Sequence, residues 1–141
     1  ELEGKVGGNL EQKSDVQAII SLFGASDLTT ILAQSTAKGR EMRAPALQLL
    51  LGGQPDQKPE LAKLASPVAH IDPHDPPLLL VHGDADPQMP PEQSRELAAA
   101  YQKAGLSVRL EIIPGAVHGG PPFFDATRMA LMKSFLDEHL R

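Results

Sequence analysis

Apolar positions fall into three short runs and two longer periodic stretches. VQAIISLFG, 16–24, is apolar and β-branched, and Gly24 and Asp27 stop it; this predicts a short buried strand. PLLLVHG, 77–83, is a near-continuous apolar run with no alternation, the pattern of a strand buried on both faces of a parallel sheet. LSVRLEIIPG, 106–115, predicts a third strand. Between the last two runs lies PEQSRELAAAYQKAG, 91–105, which predicts a helix. Pro91 suits its first turn, Leu97, Tyr101 and Ala104 line one face, and Gly105 ends it. A last amphipathic helix is predicted over 125–140, with Met129, Met132, Leu136 and Leu140 on one side and Asp125 as the cap.

Two segments lack this clarity. Residues 1–15 read as loop, charged and Gly-rich, and look like the middle of a longer protein. Residues 27–66 predict two or three short helices with a joint at 52–58. Pro59 suits a helix start, and Leu61, Leu64 and Ala65 share a face. Such a segment between strands reads as an insertion or lid, and Leu49, Leu50 and Leu51 read as its packing rather than as a docking face. SPVAHIDPHDPP, 66–77, is a proline-punctuated approach loop. From 77 onward the order strand, helix, strand, helix predicts a right-handed βαβ unit with a covering helix. The fold class is therefore α/β. Three strands make a thin sheet, so the chain reads as the later half of a larger domain.

Composition adds exclusions. With 141 residues, 41% hydrophobic and 22% charged, the chain is long enough for one domain with a core. The net charge is −5 and no basic patch is interleaved with aromatics, so no nucleic-acid partner is expected. There is no cysteine, which removes disulfides and thiolate chemistry. No apolar run approaches the roughly 20 residues of a membrane span, so no membrane association is expected.

The chemistry gathers after the second and third strands. LLLVHGDADPQMP, 78–90, runs from a strand into Asp84 and Asp86; PGAVHGG, 114–120, carries His118. Parallel strands send their following loops to one edge of the sheet, where open α/β folds place their sites. An Asp beside a His on that edge is the acid and base of an acyl-transfer triad, in which the carboxylate orients the imidazole and the imidazole takes a proton from a serine hydroxyl. Asp86 has an alternative reading as a turn residue before the helix at 91. Asp84 reads as a turn residue closing the bend through its own backbone. His82 reads as structural, His139 as exposed on the last helical turn, and Met129 and Met132 as core filler. His70 and His74 flank Asp72 and Asp75, but their spacing matches no zinc motif.

HGDADPQMP followed by PGAVHGG resembles the acid and histidine segments of α/β-hydrolase esterases and lipases. The likeness is to the group containing feruloyl- and acetylxylan-esterase-like and prolyl-oligopeptidase-like enzymes. LASPVAHI, 64–71, PPLLLVHG, 76–83, and GGNLEQKSDVQAIISLFG, 7–24, share the likeness. The resemblance implies the C-terminal half of an α/β-hydrolase, with Asp86 as the triad acid and His118 as its base, and no metal or organic cofactor. The nucleophile motif G-x-S-x-G occurs nowhere in the chain. Its nearest look-alike, Gly24-Ala25-Ser26-Asp27-Leu28, lacks the closing glycine and follows the wrong strand. An H-G-G-G oxyanion motif is missing as well. Both are expected upstream, so the chain alone is expected to be inactive. The group often carries an aromatic after the catalytic histidine; here Gly119, Gly120, Pro121 and Pro122 follow, and Phe123 and Phe124 are expected to fill that space. The implied partners are a small-molecule or carbohydrate ester and the N-terminal half of the same protein, with self-association through an exposed sheet edge. A non-catalytic interaction module and a prolyl-oligopeptidase-type serine peptidase are the alternatives.

Overall fold

A computed structural model describes residues 7–140; residues 1–6 of the expected N-terminal loop, and Arg141, lie outside them. Residues 7–18 hold no helix or strand. The three apolar runs form strands β1 (Ile19–Leu22), β2 (Leu78–Gly83) and β3 (Val108–Ile113), in the order β1-β2-β3 and all parallel. Register pairs Ile19 with Leu78 at the start of β1, and Leu78 with Val108 at the start of β3.

The continuous apolar character of β2 is explained by its place. Leu79 and Val81 face a cluster with Ile113, Phe123 and Phe135, backed by Leu131, Met132 and Leu136. Leu78 and Leu80 face the other way, onto Leu97, Ala98 and Tyr101. All four are at most 2% exposed. Each such side chain contributes about 1.5–3 kcal/mol of transfer free energy. The helix α4 (Glu92–Lys103) covers one face and α5 (Ala126–His139) the other, so the sheet is the middle of three layers. Gly105, at φ 74°, ends the α4 turn, and Asp125 caps α5 by accepting from the Arg128 N–H at 2.8 Å.

β1 departs from expectation. It is half-buried, because among the described residues only β2 pairs with it. Its outer edge is open among the described residues, and an apolar cleft lies on each side. One, of about 440 Å³, is lined by Ile19, Ala25, Ile71, Leu78 and Tyr101 among others. The other, of about 450 Å³, lies between Ile20, Phe124, Met129, Met132 and Leu136. Hence Met129, expected in the core, is 50% exposed, and Leu140 is 54% exposed, while Phe135 is the buried anchor of α5. His139 is half-buried against the Phe135 ring at 4.7 Å, not exposed.

Residues 27–66 form three helices, α1 (Ile31–Gln34), α2 (Ala37–Leu51) and α3 (Pro59–Leu64). They enclose a cluster of their own: Leu28, Ile31, Leu47, Leu51 and Ala62, with Met89 of the acid loop packed against it. Leu51 joins this cluster, but Leu49 and Leu50 are 87% and 65% exposed, so the three leucines do not act together. On α3 the buried residue is Ala62, and Leu61 lies outward, contrary to the face expected from Leu61, Leu64 and Ala65. A six-residue helix presents little more than one turn inward.

Candidate active site

The loops after β2 and β3 meet at the C-terminal edge of the sheet, and Gly83 is where they touch. A Cβ on Gly83 would lie 2.6 Å from the carbonyl carbon of Ala116, so only glycine admits this approach. The Asp84 N–H donates to Ile113 O at 3.2 Å and the Ala85 N–H to Ala116 O at 3.1 Å. Asp84 lies in the turn expected of it, closed by the Asp86 N–H on Gly83 O at 3.4 Å. The Asp84 carboxylate accepts the Gly115 N–H at 2.6 Å and so ties the second loop to the first.

On this frame Asp86 and His118 come together. Asp86 Oδ2 accepts the His118 Nδ1–H at 2.7 Å, and the Asp86 side chain is fully buried. The turn reading of Asp86 also holds, because Oδ1 accepts the N–H groups of Gln88 and Met89, each at 2.8 Å. One carboxylate oxygen shapes the loop; the other holds the imidazole. A carboxylate only accepts, so Nδ1 carries the ring proton of neutral His118 and Nε2 is left as the basic nitrogen. The His118 side chain is 27% exposed, which leaves it reachable from outside.

His82, on β2, is fully buried beside the same carboxylate, with Nε2 at 3.4 Å from Asp86 Oδ2. Burial pushes its pKa below the ordinary 6.5, against the Met89 carbonyl and the Asp86 charge, which favour the cation. At and above pH 6.5 this contact is therefore a neutral one and not an ion pair. The Met89 carbonyl, which can only accept, takes Nε2–H at 3.1 Å, and Nδ1 accepts from Ser94 Oγ at 2.6 Å.

Sequence reasoning missed two further residues. Phe23, directly after β1, places its ring 4.5 Å from that of His118 and 4.9 Å, edge-on, from Phe123. It is the described non-glycine residue with positive φ, at 45°. Such a conformation costs about 1–3 kcal/mol and persists only where surrounding contacts enforce it. The ring that meets His118 is thus Phe23, with Phe123 buried behind it against Phe23, and Phe124 is 57% exposed. Gly119 and Gly120 follow His118 at φ 78° and 90°, a backbone that disfavours an aromatic there. The second missed residue is Gln93, fully buried at the start of α4. Its Oε1 accepts from the N–H groups of Ser26 and Asp27, and its Nε2 donates to Thr30 and Gln34. This clamps the entry of the helical segment onto α4. A Gln in a polar first helical turn carries no sequence signal for that work. Ser26 is consumed by the same clamp: its Oγ donates to Gln93 O at 2.5 Å, and the residue is buried.

A polar cleft of about 210 Å³ runs between the helical segment and the acid loop, with Ser35, Thr36, Arg43, Asp84 and Asp86 in its walls. Arg43 donates Nη1 to Ser35 Oγ, while its buried Nη2 has no partner among the described residues. Burial lowers the Arg43 pKa and the Asp86 charge opposes the shift. His70 and His74 are not drawn to a common point. His70 Nε2 bonds Leu64 O, while Asp72 and Asp75 bond nearby backbone N–H groups. Among the described residues no group of three or more His, Asp or Glu is arranged to hold a metal ion, and no helix is long and apolar enough to cross a membrane.

Comparison with known proteins places the chain. The esterase LipQ of Mycobacterium tuberculosis is 33% identical over 105 residues, covering 73% of this chain and 24% of LipQ. A truncated carbohydrate esterase from gut microbiota superimposes with a TM-score of 0.86 at 32% identity, over 99% of this chain and 48% of that one. A puromycin-hydrolysing peptidase of M. tuberculosis matches with a TM-score of 0.76 at 26% identity, over 88% of this chain and 18% of its own. The chain thus spans less than half the length of each. The family model described as BD-FAE matches residues 1–101, a stretch that includes Asp86 and ends before His118. With most of its length matched and a parallel sheet shared with esterases and peptidases of the α/β-hydrolase fold, the chain belongs to the BD-FAE family and is part of an α/β-hydrolase.

Proposed function

We propose that this chain supplies the Asp and His of a Ser-His-Asp triad in a carboxylic ester hydrolase. The observation that carries the reading is the 2.7 Å hydrogen bond from His118 Nδ1 to the buried Asp86 carboxylate, at the edge where the strand-following loops converge. In this reading His118 Nε2 takes the proton of a serine hydroxyl as that oxygen attacks the ester carbonyl. It then returns the proton to the leaving alcohol. Asp86 holds the ring in the required tautomer and stabilises the imidazolium. The serine and the oxyanion donors come from the part of the protein outside this chain, which is therefore inactive alone. The open β1 edge and the apolar clefts beside it support a partner there, the N-terminal half of the same protein. In its absence the same edge favours self-association. The helical segment 27–66 caps the site.

Esters on carbohydrate are the favoured substrate class, because the carbohydrate esterase shares more identity and a higher TM-score than the peptidase. The peptidase likeness supports a second reading, amide cleavage by the same triad. Hydrolysis of aryl acetates and acetylated or feruloylated oligosaccharides by the intact protein, beside prolyl and acylaminoacyl peptides, separates the two. His118→Ala and Asp86→Asn in the intact protein are expected to lower kcat about a thousandfold or more with the fold preserved. Undiminished turnover in His118→Ala rules the triad out.

A further inference from the structure

We infer that His82 is a positioning residue for the Asp86–His118 pair, holding the acid loop to the sheet through its Nε2–H group. The inference rests on the triad reading above. Every other side chain of β2 from Leu78 to Val81 is aliphatic and buried. A buried imidazole at the next position costs desolvation and persists only with polar partners. Its partners all lie in the acid loop or in the helix that follows. Nε2 faces Met89 O at 3.1 Å and Asp86 Oδ2 at 3.4 Å. That oxygen is the one that holds His118.

The geometry explains what the ring does. Asp86 Oδ1 closes residues 86–89 into a small ring by accepting two of its N–H groups, but both bonds are internal to the loop. His82 joins the far end of that ring, Met89, to the central strand. Ser94 Oγ, on α4, sets the imidazole's rotation through Nδ1. The position of Oδ2 is thereby referred to β2 and α4 rather than to the loop alone. The protonation state matters as well. A cation at position 82 would compete with the His118 imidazolium for the same oxygen, whereas a neutral donor steadies the carboxylate and leaves its charge to His118.

The test uses the intact protein and the variants His82→Leu, His82→Gln and Ser94→Ala. Steady-state ester hydrolysis is measured beside the low-field imidazole N–H proton resonance of His118, assigned by its loss in His118→Ala. His82→Leu is expected to lose that resonance to solvent exchange and to lower kcat by about tenfold to a hundredfold, with KM changed less than about twofold. His82→Gln returns a neutral N–H near the Nε2 position and is expected to keep both readouts within about threefold of wild type. Ser94→Ala is expected to broaden the resonance and lower kcat severalfold, and it carries the test if His82→Leu does not fold. Wild-type kcat and resonance in His82→Leu, or in Ser94→Ala, overturn the inference. So does a folded His82→Gln as impaired as a folded His82→Leu. Turnover that survives in His118→Ala instead removes the triad reading, and the resonance comparison still decides what His82 does.

Discussion

Gly83→Ala is the smallest change that strains the joint between the two site loops. The added Cβ would stand 2.6 Å from the Ala116 carbonyl carbon and 3.0 Å from the Ala116 Cβ. Ordinary contact starts at 3.4 Å. The nearer of the opposing atoms belong to the Ala116 backbone, so relief requires the β3 loop to withdraw by roughly an ångström. That movement stretches Ala85 N–H to Ala116 O, now 3.1 Å, beyond hydrogen-bond length, and loosens Asp84 N–H to Ile113 O at 3.2 Å. Overpacking costs about 1–3 kcal/mol and the one lost bond about 0.5–1.5 kcal/mol, so the expected destabilisation is about 1.5–4.5 kcal/mol. His118 moves with the loop, and under the triad proposal an ångström of misplacement is expected to lower kcat by about a hundredfold. Urea unfolding of the intact protein followed by circular dichroism measures the first quantity, and ester hydrolysis the second. Gly8→Ala, where the Cβ meets nothing within 4 Å, is the control and should change stability by no more than about 0.5 kcal/mol. A Gly83→Ala protein as stable as that control would refute the argument, because the contact would then yield without cost.

Phe135→Ala empties the anchor of α5 against Leu79, Val81 and Ile113 and should cost about 3–5 kcal/mol in thermal or urea unfolding; Phe124→Ala, on the exposed side of the same region, should cost far less. His82 makes stability depend on pH. Burial holds its folded pKa below 6.5, so between that depressed value and 6.5 the unfolded chain binds more protons than the folded one. Its contribution is full above 6.5 and is lost as pH falls through the folded value. The urea midpoint should drop between pH 7.5 and pH 5, and His82→Gln should drop less; equal slopes in the two proteins would contradict this.

Local pattern determined a good deal here. The strands at 19–22, 78–83 and 108–113, the helices α4 and α5, and the Asp125 cap each depend on residues within a few positions of one another, so their periodicity and capping chemistry are visible in the string. The pairing of Asp86 with His118 was also legible, because parallel strands oblige their following loops to share an edge. Other features depend on which surfaces meet, and no local period encodes that. Gln93 holds partners 59 to 67 positions away. Phe23 reaches His118 only because β1 lies in the sheet where it does. Leu49 and Leu50 are as apolar as Leu51, yet the helical segment turns them outward, since its small cluster of Leu28, Ile31, Leu47 and Ala62 has room for only one stripe of α2. His82 lies in a run that reads simply as buried strand; only the folded-back acid loop, bringing Met89 O and Asp86 Oδ2 to one ring nitrogen, places a buried imidazole against the Asp86–His118 pair.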